Sequence, residues 1–128
     1  MNKLLKTILI FFSGFTLGLL VTVIVIHYCE KQQGRAIYYI ASKHSEEGKY
    51  DLSIALLNQS ITKNSKDYGP FYLLGDIYKI KGNTELALLM YKKALKSIEK
   101  NTKNNKIIFD RRNIEKKIKE IETLNQSQ

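Results

Sequence analysis

The chain has 128 residues, a formal net charge of +9 and a hydrophobic content of 44%. This length allows one small domain with accessory segments. A single cysteine excludes an internal disulfide framework and any site built from several cysteines, and a single proline suits helices, so we expect an all-α protein.

The first predicted element is a membrane anchor. Residues 7–26 read TILIFFSGFTLGLLVTVIVI and carry no charge, and a helix of about 20 residues spans the ~30 Å hydrocarbon layer of a bilayer. We assign residues 1–6 to a short basic tail, 7–28 to a single transmembrane helix and 29–33 to a linker. A cleaved signal peptide is the main alternative, but the apolar run is long for one and no A-x-A-like site follows it.

The charges that flank the anchor are nearly balanced, with Lys3 and Lys6 before it and three basic residues just after it. Anchors with a short basic tail commonly keep that tail in the cytoplasm. The Lys-, Ile- and Asn-rich composition is compatible with an AT-rich bacterial genome. We therefore expect a single-pass protein of a bacterial inner membrane whose C-terminal domain lies outside the cytoplasm.

Small residues share one face of the predicted anchor, where they would allow two helices to approach closely. Glycine is common in membrane helices in any case, so this pattern leaves a homodimer as an open alternative. The residues concerned are Gly14, Gly18 and Thr22.

An internal repeat organises the rest of the chain. Residues 34–67 and 68–101 align without a gap as two units of 34 residues, in which large positions match large ones and small positions match small ones. Each unit is predicted to form two amphipathic helices with a glycine between them, and Thr84 is suited to cap the last of these helices. The predicted helices are Arg35–Glu47, Tyr50–Lys63, Pro70–Lys81 and Thr84–Lys100, with Gly48 and Gly82 at the turns.

The second unit resembles the tetratricopeptide repeat. It reads Phe71-x2-Leu74-Gly75-x2-Tyr78 and then Ala87-x3-Tyr91-x2-Ala94, with phenylalanine in place of the leading tryptophan. The first unit is a more degenerate version in the same register. The resemblance implies an α-α superhelix of two helical hairpins that binds other proteins. It also implies a packing signature, which comprises Ile37, Ile40, Ala41, His44, Phe71, Leu74, Gly75, Tyr78, Ala87, Tyr91 and Ala94.

Residues 102–124 are predicted to form a C-terminal capping helix, followed by a disordered tail at 125–128. Four isoleucines recur at helical spacing and give this helix one apolar stripe, which would face the second repeat. A coiled-coil arm is the alternative, although three heptads are barely enough for one. The stripe consists of Ile107, Ile114, Ile118 and Ile121.

Residues 92–119 concentrate positive charge, with eleven basic residues against three acidic ones. The simplest interpretation is a solvated helix face. The alternative function is an adaptor that binds anionic lipid headgroups or nucleic acid, and an external location would disfavour nucleic acid. The basic residues are Lys92, Lys93, Lys96, Lys100, Lys103, Lys106, Arg111, Arg112, Lys116, Lys117 and Lys119.

The sequence shows no catalytic or metal-binding pattern. His27 and His44 lack partners at metal-ligand spacing, and no phosphate-binding glycine loop, GxSxG or CxxC motif occurs. We therefore expect no catalytic residue, no metal, no cofactor and no small-molecule substrate. The expected function is a non-enzymatic scaffold that binds a partner protein in a membrane complex.

In the tetratricopeptide repeat family the first helix of each repeat lines the concave, partner-binding face. Tyr38 and Ser42 stand where members that grip chaperone C-termini need lysine and asparagine, so that class of ligand is disfavoured. Packing of Tyr38 and Tyr72 against neighbouring helices is an equal alternative to partner contact. The resemblance assigns this face to Arg35, Tyr38, Ser42, Ser45, Glu46, Tyr72, Asp76, Lys79 and Ile80.

Overall fold

The computed structural model describes residues 3–64, 66–99 and 105–126, and within these ranges every regular element is a helix. The all-α prediction is thus confirmed. The chain divides into two compact units, Met1–Gln32 and Gln33–Gln128. The helices are α1 (Lys3–Glu46), α2 (Tyr50–Lys63), α3 (Tyr68–Ile80), α4 (Thr84–Glu99) and α5 (Asn105–Gln126).

The N-terminal unit contains the apolar part of α1. By length and composition, this helix is the one in the described residues that can cross a membrane, and none of its most apolar stretch is buried. Two of its threonine hydroxyls bond within the helix, since Thr22 Oγ1 donates to Leu19 O at 2.8 Å and Thr16 Oγ1 donates to Ser13 O at 3.0 Å. Such bonds pair both of these hydroxyls without a partner from outside the helix, which an apolar surrounding would not supply. The surfaces of Gly14 and Gly18 are open.

The structure has helix where the sequence predicted a linker. Residues 29–33 continue α1 without a break into the first helix of repeat one. Glutamate, lysine and glutamine are good helix formers, and the segment contains neither proline nor glycine to end the helix. At the other end of the chain, α5 includes Asn125 and Gln126, where a disordered tail was predicted. The last two residues lie outside the described part.

The two hairpin turns are built in the same way, 34 residues apart. Gly48 and Gly82 have φ values of 74° and 77°, the left-handed conformation that glycine adopts readily. Each glycine N–H donates to the carbonyl three residues earlier, and the N–H of the next residue donates to the carbonyl five residues before it. This pair of bonds is the Schellman motif, which satisfies the last carbonyls of the preceding helix. The predicted turns are therefore present.

The caps of α3 and α4 come from the residues just before them. Asp67 Oδ1 accepts a hydrogen bond from Gly69 N at 3.1 Å, which makes it the cap of α3. At α4, Asn83 Oδ1 accepts from Leu86 N at 3.0 Å, so Asn83 takes the capping role predicted for Thr84. Asparagine and aspartate are among the strongest N-cap residues.

Buried hydroxyl groups compensate for the degenerate sequence of the first repeat. Ser53 and Ser60 occupy positions where the second repeat has alanine, and both are almost completely buried. Ser53 Oγ donates to Ala41 O at 2.8 Å, and Ser60 Oγ donates to Gly34 O at 2.6 Å. Because each hydroxyl has a backbone partner on α1, neither carries the cost of an unpaired buried polar group. The serines thus connect the two helices of the first hairpin.

The hydrophobic core has two parts. One lies among the C-terminal part of α1, α2 and α3, and its buried residues are Ala41, Leu57, Leu74 and Ile77. The other joins α4 to α5, and its buried residues are Ala87, Tyr91, Ala94, Ile98, Ile114, Ile118 and Ile121. The three described isoleucines of the predicted stripe on α5 therefore face α4, while the side chain of Ile107 lies outside the described residues. As a result, α5 covers the apolar face that the second hairpin would otherwise expose to water.

Candidate partner-binding groove

A cavity of about 450 Å³ opens between α1, α3 and α5 in the C-terminal unit. We call it the tyrosine pocket, because four of its nine lining residues are tyrosines. Its lining comprises Arg35, Tyr38, Tyr39, Asp67, Tyr68, Gly69, Tyr72, Asp110 and Asn113.

Local sequence at the start of α3 positions the floor of the pocket. Gly69 lies against the ring of Tyr38, and a Cβ atom at this position would be only 3.3 Å from Tyr38 Cζ. The missing side chain lets the half-buried Tyr38 ring approach the α3 backbone. Tyr38 also contacts Tyr39, with ring centroids 5.7 Å apart and planes tilted by 57°. Two adjacent rings on α1 therefore form one wall.

The pocket lining contains two half-buried carboxylates, those of Asp67 and Asp110. Tyr68 OH donates to Asp110 Oδ2 at 2.5 Å. Burial, and then the bond to Asp110, raise the pKa of Tyr68, and burial followed by the charge of Asp67 raises the pKa of Tyr38. Both hydroxyls thus stay protonated. Arg35 is exposed, and it forms no ion pair with the residues that the structure describes.

A second polar cluster, next to the pocket, is satisfied internally. Asp76 on α3 accepts a hydrogen bond from Tyr91 OH at 2.5 Å and another from Lys117 Nζ on α5. The Lys117 ammonium also lies 4.7 Å from the ring centroid of Tyr72, a cation–π distance. This cluster therefore joins α3, α4 and α5 through one carboxylate.

The protonation states of this cluster follow from its geometry. Burial and the bond to Asp76 raise the pKa of Tyr91, so its hydroxyl remains a donor. For Lys117, burial acts to lower the pKa, but hydrogen bonds to Asp76 and Tyr72 outweigh it, and the net pKa is raised. Lys117 is therefore a cation paired with Asp76.

The residues predicted for the concave face fall into three groups. Arg35, Tyr38 and Tyr72 line the pocket. Asp76 and Lys79 contact α5, the latter through Nζ at 3.3 Å from Glu120 Oε2. The remaining four residues neither line the pocket nor form a described ion pair with α5; they are the half-buried Ser42 and Ser45 and the exposed Glu46 and Ile80.

Sequence reasoning missed six of the nine lining residues. Two of them, Asp110 and Asn113, lie on α5, which the sequence assigned to capping alone. The sequence could have indicated these two residues, because α5 follows the second hairpin in the same way that α3 follows the first. The polar residues of α5 therefore adjoin the same groove as those of α3. The other residues missed were Tyr39, Asp67, Tyr68 and Gly69.

The predicted basic surface is partly neutralised. Lys92 pairs with Glu122 at 3.0 Å and Arg111 pairs with Glu115 at 3.0 Å, while Lys117 pairs with Asp76. Lys100 and Lys103 lie outside the described residues, as does the side chain of Lys106. Five exposed side chains form no ion pair within the described ranges, namely Lys93, Lys96, Arg112, Lys116 and Lys119.

Within the described residues, no group of three His, Cys, Asp or Glu side chains is arranged to hold a metal ion. His44 is half-buried, and its Nδ1 atom lies 3.4 Å from Glu47 Oε2 without a hydrogen bond. It lies near the end of α1, and its packing role stays a prediction.

Comparison with known proteins identifies a repeat family. Residues 69–101 match the family model described as tetratricopeptide repeat, and this range coincides with the second unit of the internal repeat. No curated protein matches the chain.

Proposed function

We propose that this chain, whose residues 69–101 match the tetratricopeptide repeat family model, is a non-enzymatic scaffold that α1 anchors in a membrane, where the repeats bind a partner protein. The observation that carries this proposal is the tyrosine pocket, which collects aromatic side chains from α1 and α3 in one groove. Tyrosines offer large, stiff contact area with a polar tip, and such residues dominate the energetics of protein interfaces.

The exposure of the N-terminal unit supports membrane anchoring. Every described side chain from Phe12 to Gln33 is exposed, including a long run of leucine, valine and isoleucine. A continuous apolar surface of this kind is unfavourable in water and is covered by a bilayer. The helix also continues without interruption into residues that pack in the first repeat.

An N-terminal epitope tag tests whether the anchor is retained. We expect the tag to remain on the mature chain and to stay in the membrane fraction after alkaline extraction. Loss of the tag with release of the repeats would show that the segment is a signal sequence instead. Protease added to intact spheroplasts should remove a C-terminal tag if the repeats lie outside the cytoplasm, as we propose.

Site-specific photocrosslinking tests partner binding. A photoreactive residue in place of Tyr39, which is 71% exposed at the edge of the pocket, should crosslink a partner in native membranes. The matched control is Leu52, which is 47% exposed on α2 and does not line the pocket. A similar crosslinked product from both positions, or none from either, would contradict partner binding in the groove.

The basic surface supports a second candidate function, binding of anionic lipid headgroups. Five of its exposed side chains are without ion pairs in the described residues, so their charges are available to an anionic partner. Hydrogen exchange of the full chain in nanodiscs should then show that the backbone amides of α5 are protected with anionic lipid but not with neutral lipid. Added salt should remove this protection. Equal exchange in the two lipids would exclude this function.

A further inference from the structure

The tyrosine pocket has the lining of a site for a cation. We propose that the pocket binds the side chain of a lysine or arginine from an extended segment of the partner protein, an inference that rests on the proposed function. Its volume of about 450 Å³ falls within the range of roughly 300–1,000 Å³ that is typical of ligand sites. The pocket is therefore large enough to enclose a long side chain and the flanking backbone.

The charges in the pocket favour a cation over an anion. Asp67 and Asp110 each use one oxygen within the protein, to accept from Gly69 N and Tyr68 OH. Their other oxygens form no hydrogen bond with the described residues. The lining carries two half-buried carboxylates against one guanidinium, that of the exposed Arg35, so its charged groups have an excess of negative charge in a protein whose net charge is +9. An arriving ammonium or guanidinium group would satisfy those oxygens.

The tyrosine rings add a second attraction. The face of an aromatic ring is electronegative and attracts a cation within about 6 Å of its centroid. Tyr38, Tyr39 and Tyr72 contribute such rings to the lining. A lysine or arginine stem would also bury apolar carbon against them while its charge reaches the carboxylates.

The protein already contains the arrangement that we propose for the ligand. The Lys117 ammonium lies 4.7 Å from the Tyr72 centroid and is hydrogen-bonded to Asp76. A partner cation in the pocket would find the same combination, a tyrosine ring beside a carboxylate, with Tyr38 and Asp67 or Tyr68 and Asp110 in those roles. Lys117 thus shows that this fold stabilises a cation between these two kinds of group.

A random peptide library tests the proposal, with the full chain in lipid nanodiscs as bait. Selected peptides should share a lysine or arginine at one position. Replacement of that residue by norleucine or citrulline, which are neutral, should weaken binding about tenfold. In the double variant Asp67→Asn/Asp110→Asn, binding of the original peptide should fall by a similar factor. Replacement of the basic residue of the peptide by norleucine or citrulline should then have little further effect on binding to this variant.

The asparagine variant suits this test because amide oxygens can still accept the bonds from Gly69 N and Tyr68 OH. Asp51→Asn is the matched control, since Asp51 is an exposed aspartate paired with Lys81 away from the pocket. It should leave peptide binding unchanged. Circular dichroism should show the same helix content in all three proteins.

The outcomes separate this inference from the proposed function. If the wild-type chain selects no peptide above an empty nanodisc, the proposed partner binding fails. Peptides that lack a basic residue, or that bind the asparagine variant as tightly as the wild type, would overturn only the cation site. A further outcome is a selected peptide that matches a segment of this chain itself, with self-association of the chain that depends on Asp67 and Asp110. These two results together would identify a second copy of the chain as the occupant and overturn the proposal of a different partner protein.

Discussion

A Cβ atom at Gly75 would lie 2.6 Å from Cδ1 and Cε1 of the Tyr91 ring. Both residues are fully buried, Gly75 within α3 and Tyr91 on the adjoining α4. Glycine inside a helix costs roughly 1 kcal/mol relative to alanine. The contact with Tyr91 explains why it is nevertheless found here, since the large ring leaves no room for even a methyl group.

We expect Gly75→Ala to destabilise the protein by about 1–3 kcal/mol, despite the better helix propensity of alanine, because it overpacks this contact. Denaturant unfolding of the full chain in detergent, followed by circular dichroism, measures the loss. In a Tyr91→Leu background the same substitution should cost much less. That double variant reproduces the pair found at the corresponding positions of the first repeat, Ala41 and Leu57, both of which are fully buried. An equal cost in both backgrounds would rule out the ring contact as the cause.

The Asp76–Lys117 pair is expected to hold α5 against the second hairpin. Lys117→Met removes the cation from a half-buried carboxylate and should destabilise the protein by about 1–2 kcal/mol, between the values for exposed and buried pairs. The control is Lys79→Met, which breaks a more exposed bridge to Glu120 between the same two helices. It should cost at most about 1 kcal/mol. The same unfolding measurement distinguishes the two, and equal effects would contradict the special role of Asp76.

The stability of the protein should fall as the pH rises above 10. Burial, and then hydrogen bonds to Asp110 and Asp76, raise the pKa values of Tyr68 and Tyr91 above the ordinary value of 10.0. Above that pH the unfolded chain loses these phenolic protons while the folded chain keeps them, so the unfolded state binds fewer protons and its population grows. Below the ordinary pKa both states are protonated and the contribution is fully present.

Alkaline unfolding of wild type and Tyr91→Phe checks this pH dependence. The variant loses a hydrogen bond at every pH, so the decisive quantity is the slope of unfolding free energy against pH rather than its value. The slope above pH 10 should be shallower in the variant, because one of the tyrosines with a raised pKa no longer contributes. Identical slopes would show that Tyr91 does not keep its proton in the folded state.

The sequence was informative wherever one residue type can satisfy a local requirement. Gly48 and Gly82 were predicted at the turns because glycine readily adopts the left-handed conformation there, and the structure confirms both. Gly75 was placed in the packing signature from its repeat position. Its neighbour was not identified, because a ring contact across two helices depends on their separation, which no local pattern encodes.

The pocket was harder to predict because it combines residues from distant parts of the chain. Tyr38 and Tyr72 were found by their shared position in the repeat. Asp110 was missed because its helix breaks the repeat pattern, and its proximity to Tyr68 arises only when α5 packs on α4. The helix through residues 29–33 was missed for another reason, since a change from apolar to polar residues marks a change of surroundings and does not end a helix.

The apolar stripe of α5 should contribute more to stability than its length suggests, because a short repeat array has few neighbours over which to bury its hydrophobic faces. Ile121 is fully buried against α4. We expect Ile121→Ala to destabilise the protein by about 2–5 kcal/mol, the range for large-to-small changes in a core. Ile108→Ala is the matched control on the same helix, since Ile108 is 42% exposed, and it should cost much less. Thermal unfolding of the full chain measures both, and equal losses would mean that α5 is held by its polar contacts rather than by this stripe.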